Sequence, residues 1–353
     1  MQSLHAVSYA DGIEIAESLR ALDGPNVNPV CHTRLYTHGH RTERSLVLLH
    51  GFTNCPAQFD QLGKDFFDRG WNVLIPRYPR HGYSDRMNTA VAELRSEHLI
   101  AVANRAALSG SGLGERLTIA GLSLGAILTG YLAQTRTDVE RAVLVAPMFG
   151  LRPIPGPALT ALTEAAVVLP NFYIWWNAKA KDTIRPPHGY PRFATHAYAA
   201  LFRTARKVMA MAARTAPLAR SLAVITNAAE PRLDNRFTYQ LTERWRRHGA
   251  MVETFEFAAH EGLPHDLVDP VSNSTTVTER SYPVLRRFMQ GASWSVPENK
   301  PLEHPADGNG AHPTDAQKLP LKGRKAKRPL PAGDRPRRKP RRPKQAAEEQ
   351  SGT

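Results

Sequence analysis

Leu117-Thr118-Ile119-Ala120-Gly121-Leu122-Ser123-Leu124-Gly125-Ala126 is the stretch on which the reading of this chain turns. A short apolar run of β type leads into Gly-x-Ser-x-Gly, and Ile127, Leu128, Tyr131 and Leu132 then recur at helical spacing. A serine held at a sharp strand-to-helix turn has its hydroxyl lifted clear of the sheet. The glycines on either side are expected where such a turn leaves no room for a Cβ. The helix that follows would aim its N-terminal N–H groups at an oxyanion formed on a carbonyl attacked by that serine. With 24 glycines in 353 residues, any one serine is so flanked by chance roughly half a percent of the time. The strand before and the helix after supply the needed context, and a base, an acid and an oxyanion hole must come from elsewhere.

A base is sought late in the chain. Val252–Phe257 alternates like a strand and is followed by Ala258-Ala259-His260-Glu261-Gly262-Leu263-Pro264-His265-Asp266-Leu267. Both His260 and His265 could hang over the sheet edge; His265, held between Pro264 and the next element, is the favoured base. An acid is expected between serine and histidine. Leu222–Thr226 reads as a buried strand, and the loop Asn227-Ala228-Ala229-Glu230-Pro231-Arg232-Leu233-Asp234-Asn235 carries two carboxylates. Either could accept the Nδ1–H of the base and fix its tautomer. Glu230 sits nearest the strand end and is preferred. Asp234 is the alternative acid, although it is also placed to cap a helix through Phe237, Leu241 and Trp245. The apolar strand Ser45–Leu49 runs into His50-Gly51-Phe52-Thr53-Asn54-Cys55-Pro56. Its turn sets the N–H of Phe52 beside the serine loop, with the N–H of Leu124 as second oxyanion donor.

These segments together resemble the α/β-hydrolase superfamily, within it the bacterial carboxylesterase, monoacylglycerol lipase and lysophospholipase-like branch. The likeness rests on HGFTNCPAQF at 50–59, IPRYPRHGYSDR at 75–86, GLSLG at 121–125, NAAEP at 227–231 and LPHDLVDP at 263–270, and spans about residues 30–290. It implies Ser123 as nucleophile, His265 as base, and Phe52 and Leu124 as oxyanion donors. It departs from the family pattern at the acid, where Asp is usual and this chain has Glu230 with Asp234 four residues later.

The expected architecture is α/β. Apolar runs at 45–49, 71–75, 117–120, 142–145, 223–226 and 252–257 alternate with helical stretches, the pattern of a mostly parallel sheet with helices on both faces. Residues 1–290 are expected to form the hydrolase domain. The interval at about 148–219 interrupts the alternation with helical patterns near 158–169 and 195–213, and is read as an inserted helical cap over the serine. Its cluster Pro170-Asn171-Phe172-Tyr173-Ile174-Trp175-Trp176 is either an apolar wall for an acyl group or ordinary lid packing.

From Gly291 the composition changes to Pro, Gly and charge. Residues 291–353 hold +7 of the chain's formal net charge of +14, with the densest run at Lys322–Lys344. Such a tail is expected to be disordered. It is either a solubilising segment or a sequence-blind ligand for nucleic acid or anionic lipid. Metal and nucleotide chemistry are not indicated: there is no HExxH, no paired-histidine helix and no Walker loop among the 14 histidines and 24 glycines. No cofactor is expected. Cys31 and Cys55 are the only cysteines and are expected to be reduced thiols. With no signal-peptide layout and no run of membrane-spanning length, the cytoplasm is the expected location.

The sequence therefore points to a serine hydrolase of small carboxylic esters, of carboxylesterase or lipase type, acting through an acyl-serine and favouring an apolar acyl group. An acyltransferase, or an amidase or aminopeptidase, would use the same residues. A hydrolase fold serving only as a binding module, with the tail attaching to a polyanion, is the reading from a different class. Oligomeric state is not legible in the sequence.

Overall fold

The computed structural model describes residues 7–179 and 187–291. In chain order the elements are α1 (Tyr9–Arg20), β1 (Arg34–Tyr36), β2 (Thr42–Leu49), α2 (Asp60–Phe67), β3 (Asn72–Ile75), α3 (Ser96–Leu113), β4 (Gly114–Leu122), α4 (Leu124–Thr135) and β5 (Val139–Val145). They continue with α5 (Gly156–Val168), β6 (Tyr173–Trp175), β7 (Arg192–Ala194), α6 (Thr195–Ala212), β8 (Ser221–Asn227), α7 (Asn235–Arg247), β9 (Val252–Phe257) and α8 (Thr275–Gln290). Apart from Gly291, the expected basic tail at 291–353 lies outside the described residues, and so does any polyanion site on it.

Seven strands form one sheet in the order β1-β3-β2-β4-β5-β8-β9. All neighbours are parallel except β1, which runs antiparallel to β3 at the edge. The six apolar runs read from the sequence are the six strands β2, β3, β4, β5, β8 and β9. Their near-continuous apolar character follows from burial on both faces. Alternate residues divide between two cores: Val47, Leu49, Leu74, Ile119, Leu144 and Val224 pack on one face. Leu46, Leu48, Val73, Val143, Val145 and Ile225 pack on the other. Residues of α1, α3, α4, α6 and α7 cover the first face, and α2 and α8 supply Leu62, Phe66, Leu285 and Phe288 to the second. Burying each such side chain contributes about 1.5–3 kcal/mol.

Between β5 and β8 the chain leaves the sheet for α5, β6, β7 and α6. Both helices expected in this interval are present, at Gly156–Val168 and Thr195–Ala212. The hairpin joining them is not in the sequence reading: Tyr173–Trp175 pairs antiparallel with Arg192–Ala194. Three-residue strands carry too short an alternation to register as a period-2 pattern. The antiparallel β1 escapes for the same reason.

The cysteines correct an expectation. Cys31 and Cys55 are joined as a disulfide, with Cα atoms 5.2 Å apart, where reduced thiols were expected. They lie 24 residues apart in sequence, but the 3-10 turns Pro29–Cys31 and Pro56–Phe59 bring both to one buried spot beside Val27 and Tyr83. Two cysteines do not make a disulfide framework, but they suffice to tie the N-terminal segment to the loop after β2. Closing a loop of this length contributes about 3 kcal/mol in the chain-entropy account. Replacing Cys31 and Cys55 by Ser is expected to lower the unfolding free energy by about that amount in denaturant titration, and an unchanged midpoint would show that the bond does not constrain the chain.

Candidate active site

Ser123 occupies the single residue between β4 and α4, with φ 59° and ψ −109°. A side-chain-bearing residue at positive φ is held there only by its surroundings. Backbone hydrogen bonds hold it: the Ser123 N–H donates to the Val145 carbonyl at 3.0 Å, and the Ser123 carbonyl accepts from the N–H groups of Ile127 and, at 3.5 Å, Met148. The flanking glycines are required by close approach and not by their own backbone angles. A Cβ on Gly121 would lie 2.3 Å from the backbone of Gly125, and a Cβ on Gly125 would lie 1.8 Å from the Leu49 carbonyl oxygen. The motif thus welds the start of α4 onto the end of β2.

The same weld brings the loop after β2 to the serine. No described residue accepts a hydrogen bond from the N–H of Phe52 or of Leu124. Phe52, Leu122 and Ser123 line a cavity of about 160 Å³ together with Met148, Trp176, Tyr198, Glu230, Arg232 and His265. Behind the loop, His50 is fully buried and stacked on Tyr78 at 3.8 Å. Its Nε2 accepts from the Tyr78 N–H at 3.3 Å, which leaves Nδ1 to donate to the Gly51 carbonyl at 2.9 Å. Burial, with His81 close by, holds the pKa of His50 well below the usual imidazole range, so the ring is a neutral, fixed strut.

The fold brings His265 and Glu230 together. His265 Nδ1 lies 2.6 Å from Glu230 Oε2, with the carboxylate side chain 2 % exposed. Burial alone would raise the Glu230 pKa. The hydrogen bond and charge of His265, with the N–H groups of Arg232 and Leu233, outweigh it and leave the carboxyl below its ordinary value. Asn227, at the end of β8, aligns the two loops: its side-chain amide donates to the carbonyls of Leu263 and Pro264 at 2.8 and 3.1 Å. Asp234 is placed elsewhere. It accepts from the N–H of Arg236 as the N-cap of α7 and forms an ion pair with the Arg236 guanidinium at 2.7 Å. His260 lies in the 3-10 turn Ala259–Glu261 and does not line the cavity.

A family model of the alpha/beta hydrolase family matches residues 46–272, from the middle of β2 to just beyond the His265 loop. The chain belongs to the alpha/beta hydrolase family. Curated protein sequences give no match. Among solved structures, this hydrolase is similar to one described with the metagenome-derived lipolytic enzymes LipS and LipT: 17% identity, TM-score 0.53, covering 74% of this chain and 99% of that one. It is similar to a monoacylglycerol lipase from Paleococcus ferrophilus, at 16% identity and TM-score 0.55, over 73% of this chain and 98% of the other. A soluble variant of monoglyceride lipase from Saccharomyces cerevisiae shares 10% identity at TM-score 0.52, over 74% and 91% of the two chains. At these identities the likeness is one of fold.

One element of the hydrolase site was missed from the sequence. Gln58 spans the loops that carry the site: its Oε1 accepts from the Gly51 N–H at 2.7 Å and its Nε2 donates to Asp266 Oδ2 at 2.8 Å. Asp266 also accepts from the N–H groups of Val268 and Asp269, while burial and the charge of Asp269 push its pKa up. Nothing local marks the bridge, since Asp266 stands 208 residues from Gln58. Among the described residues no group of His, Cys, Asp and Glu could hold a metal, and no helix is long and apolar enough to cross a membrane.

Two outcomes follow from this geometry. Gly125→Ala has a backbone oxygen in its way and is expected to cost more than about 4 kcal/mol or to prevent soluble folding; a variant melting near the parent would refute the weld. The Glu230 pKa is lowered in the folded chain, so its stabilisation is present above the ordinary value of 4.5 and is lost as pH falls through the lower folded value. Melting curves from neutrality down to about pH 3 should therefore show the gap between the parent and Glu230→Gln closing on the acid side. A gap independent of pH would contradict the pairing.

Proposed function

We propose that this hydrolase cleaves carboxylic esters through an acyl-Ser123 intermediate. The observation that carries the reading is the His265 Nδ1–Glu230 Oε2 contact of 2.6 Å on the wall of the cavity that holds Ser123. With Nδ1–H donating to the carboxylate, Nε2 is left as the acceptor for the Ser123 hydroxyl proton. Ser123 Oγ adds to the ester carbonyl as that proton moves to His265, and the Phe52 and Leu124 N–H groups receive the oxyanion. His265 returns the proton to the departing alkoxide, leaving acyl-Ser123. Water then loses a proton to His265 as it adds to the acyl carbonyl, and His265 returns that proton to Ser123 Oγ as the C–Oγ bond breaks and the acid is released. Glu230 stays ionised throughout and steadies the imidazolium; a few kcal/mol of transition-state stabilisation come from the two N–H donors.

Residues 148–219 act as the cap in this reading. Trp176 Nε1 donates to Thr53 Oγ1 at 2.9 Å, and the Tyr190 N–H donates to the Thr53 carbonyl at 2.7 Å, which fastens the cap segment to the oxyanion loop. Phe52, Met148, Trp176 and Tyr198 wall a cavity of about 160 Å³, a space suited to a short apolar acyl group. The lipolytic enzymes and monoacylglycerol lipases among the similar folds agree with an ester substrate. For the location, the cytoplasm expected from the sequence is hard to reconcile with a closed Cys31–Cys55 bond, because cytosolic thiols are kept reduced. Alkylation of thiols in freshly lysed cells decides between the cytoplasm and an oxidising compartment.

Hydrolysis of p-nitrophenyl esters from acetyl to long acyl is expected to peak at short chains. It should fall at least about 10³-fold in Ser123→Ala and by on the order of 10⁴ in kcat for Glu230→Gln. Asp234→Asn, which keeps a helix cap and removes only the charge paired with Arg236, should keep kcat near the parent value. A loss in Asp234→Asn larger than in Glu230→Gln would reverse the assignment of the acid.

A further inference from the structure

The hydrolase cavity has a cation that the proposed chemistry does not use. Arg232 lies two residues beyond Glu230 and lines the cavity beside Ser123 and His265. Its guanidinium is exposed yet fixed: Nη2 donates to the Trp176 carbonyl at 3.0 Å, and Cζ stands 5.7 Å from the centroid of the Trp176 ring. Stacking of this kind holds a guanidinium in place without neutralising it. The two carboxylates on the cavity wall are committed elsewhere. Glu230 accepts from His265 and from the backbone N–H of Arg232, and Asp266 accepts from Gln58 and two backbone N–H groups. Among the described residues no carboxylate lies within ion-pair distance of Arg232, whereas Arg236, four residues on, is paired with Asp234.

A second donor faces the same space. Tyr198, on α6, lines the cavity with its ring packed against Phe52, Phe193 and Phe202 at 5.9, 4.6 and 5.0 Å. Its hydroxyl makes no hydrogen bond to a described residue, and burial raises its pKa, so it stays protonated and able to donate. A wall of apolar rings edged by a guanidinium and a hydroxyl that have no carboxylate partner among the described residues matches a ligand that is apolar near the reacting carbonyl and anionic further out. Arginine recognises carboxylate and phosphate in a planar, two-pronged contact.

Resting on the ester-hydrolase reading above, we infer that the substrate is an ester carrying an anionic group, a carboxylate or a phosphate, that Arg232 binds with Tyr198 beside it. Arg232 is thus a specificity-determining residue and takes no part in bond making. The test uses the full chain and two matched pairs. p-Nitrophenyl hemiglutarate against p-nitrophenyl valerate places the charge on the acyl side. The butyryl ester of glycerol 3-phosphate against monobutyrin places it on the alcohol side.

In at least one pair the parent is expected to prefer the anionic member. The ratio of kcat/KM values, anionic over neutral, should drop about tenfold in Arg232→Gln, mainly through KM, and recover in part in Arg232→Lys. Added salt should erode the preference in the parent. The pair that responds identifies which side of the ester carries the charge. A ratio below one in both pairs, or one unmoved by Arg232→Gln, overturns the inference. Labelling of Ser123 by a fluorophosphonate in the same samples separates the two levels. Labelled serine with an unmoved ratio refutes the anionic substrate alone, whereas no labelling and no hydrolysis refutes the serine-hydrolase reading beneath it as well.

Discussion

Gly125 sits against the Leu49 carbonyl so closely that a Cβ would stand 1.8 Å from the oxygen, and that contact sets the position of nearly everything in the site. It fixes the N-terminus of α4 over the end of β2, so the two peptide N–H groups proposed as the oxyanion hole come from segments 72 residues apart in sequence, Phe52 and Leu124. Beside it, Ser123 passes from sheet to helix through positive φ and lines the cavity. The turn is stored strain of order 1–3 kcal/mol. The hydrogen bond to Val145 and the packing of β2, β4 and β5 on two cores offset it.

A second set of constraints carries the proposed base and acid. Glu230 and His265 hang on loops at the ends of β8 and β9, which are neighbours in the sheet. Parallel pairing places both loops at the same edge as the serine turn, where ligands bind in open α/β sheets. Asn227 and Gln58 then trim the positions: the first ties β8 to the His265 loop, and the second ties the His265 loop to the oxyanion loop. The Cys31–Cys55 disulfide anchors that loop from its other end. The Glu230 carboxylate is nearly inaccessible to solvent and still has its pKa lowered, as the proposed mechanism requires of a group that stays charged beside an imidazolium.

The strands and the serine turn were legible because buried parallel strands write themselves as apolar runs and because close backbone approach demands glycine at fixed spacing. The Asp234 ambiguity was legible as an ambiguity: N-capping and catalysis ask for the same residue type, and only the fold shows its carboxylate on Arg236 and that of Glu230 on His265. The Gln58 bridge, the place of Arg232 on the cavity wall and the Cys31–Cys55 bond were not legible. Each acquires its meaning from a partner brought near by the tertiary fold, and a polar residue in a loop carries no pattern of its own. The hairpin β6–β7 was hidden by its brevity, although Trp176 within the aromatic cluster proves to line the cavity.

The measurement closest to the central claim is the mass of the protein during turnover. Rapid acid quench of the full chain mixed with a p-nitrophenyl ester, followed by intact-mass and peptide analysis, should show one acyl group per chain on the peptide that contains Ser123. The amplitude of released p-nitrophenol in the first turnover should match it. Turnover with no adduct at any quench time, or an adduct on a peptide without Ser123, would contradict an acyl-serine mechanism built on this turn.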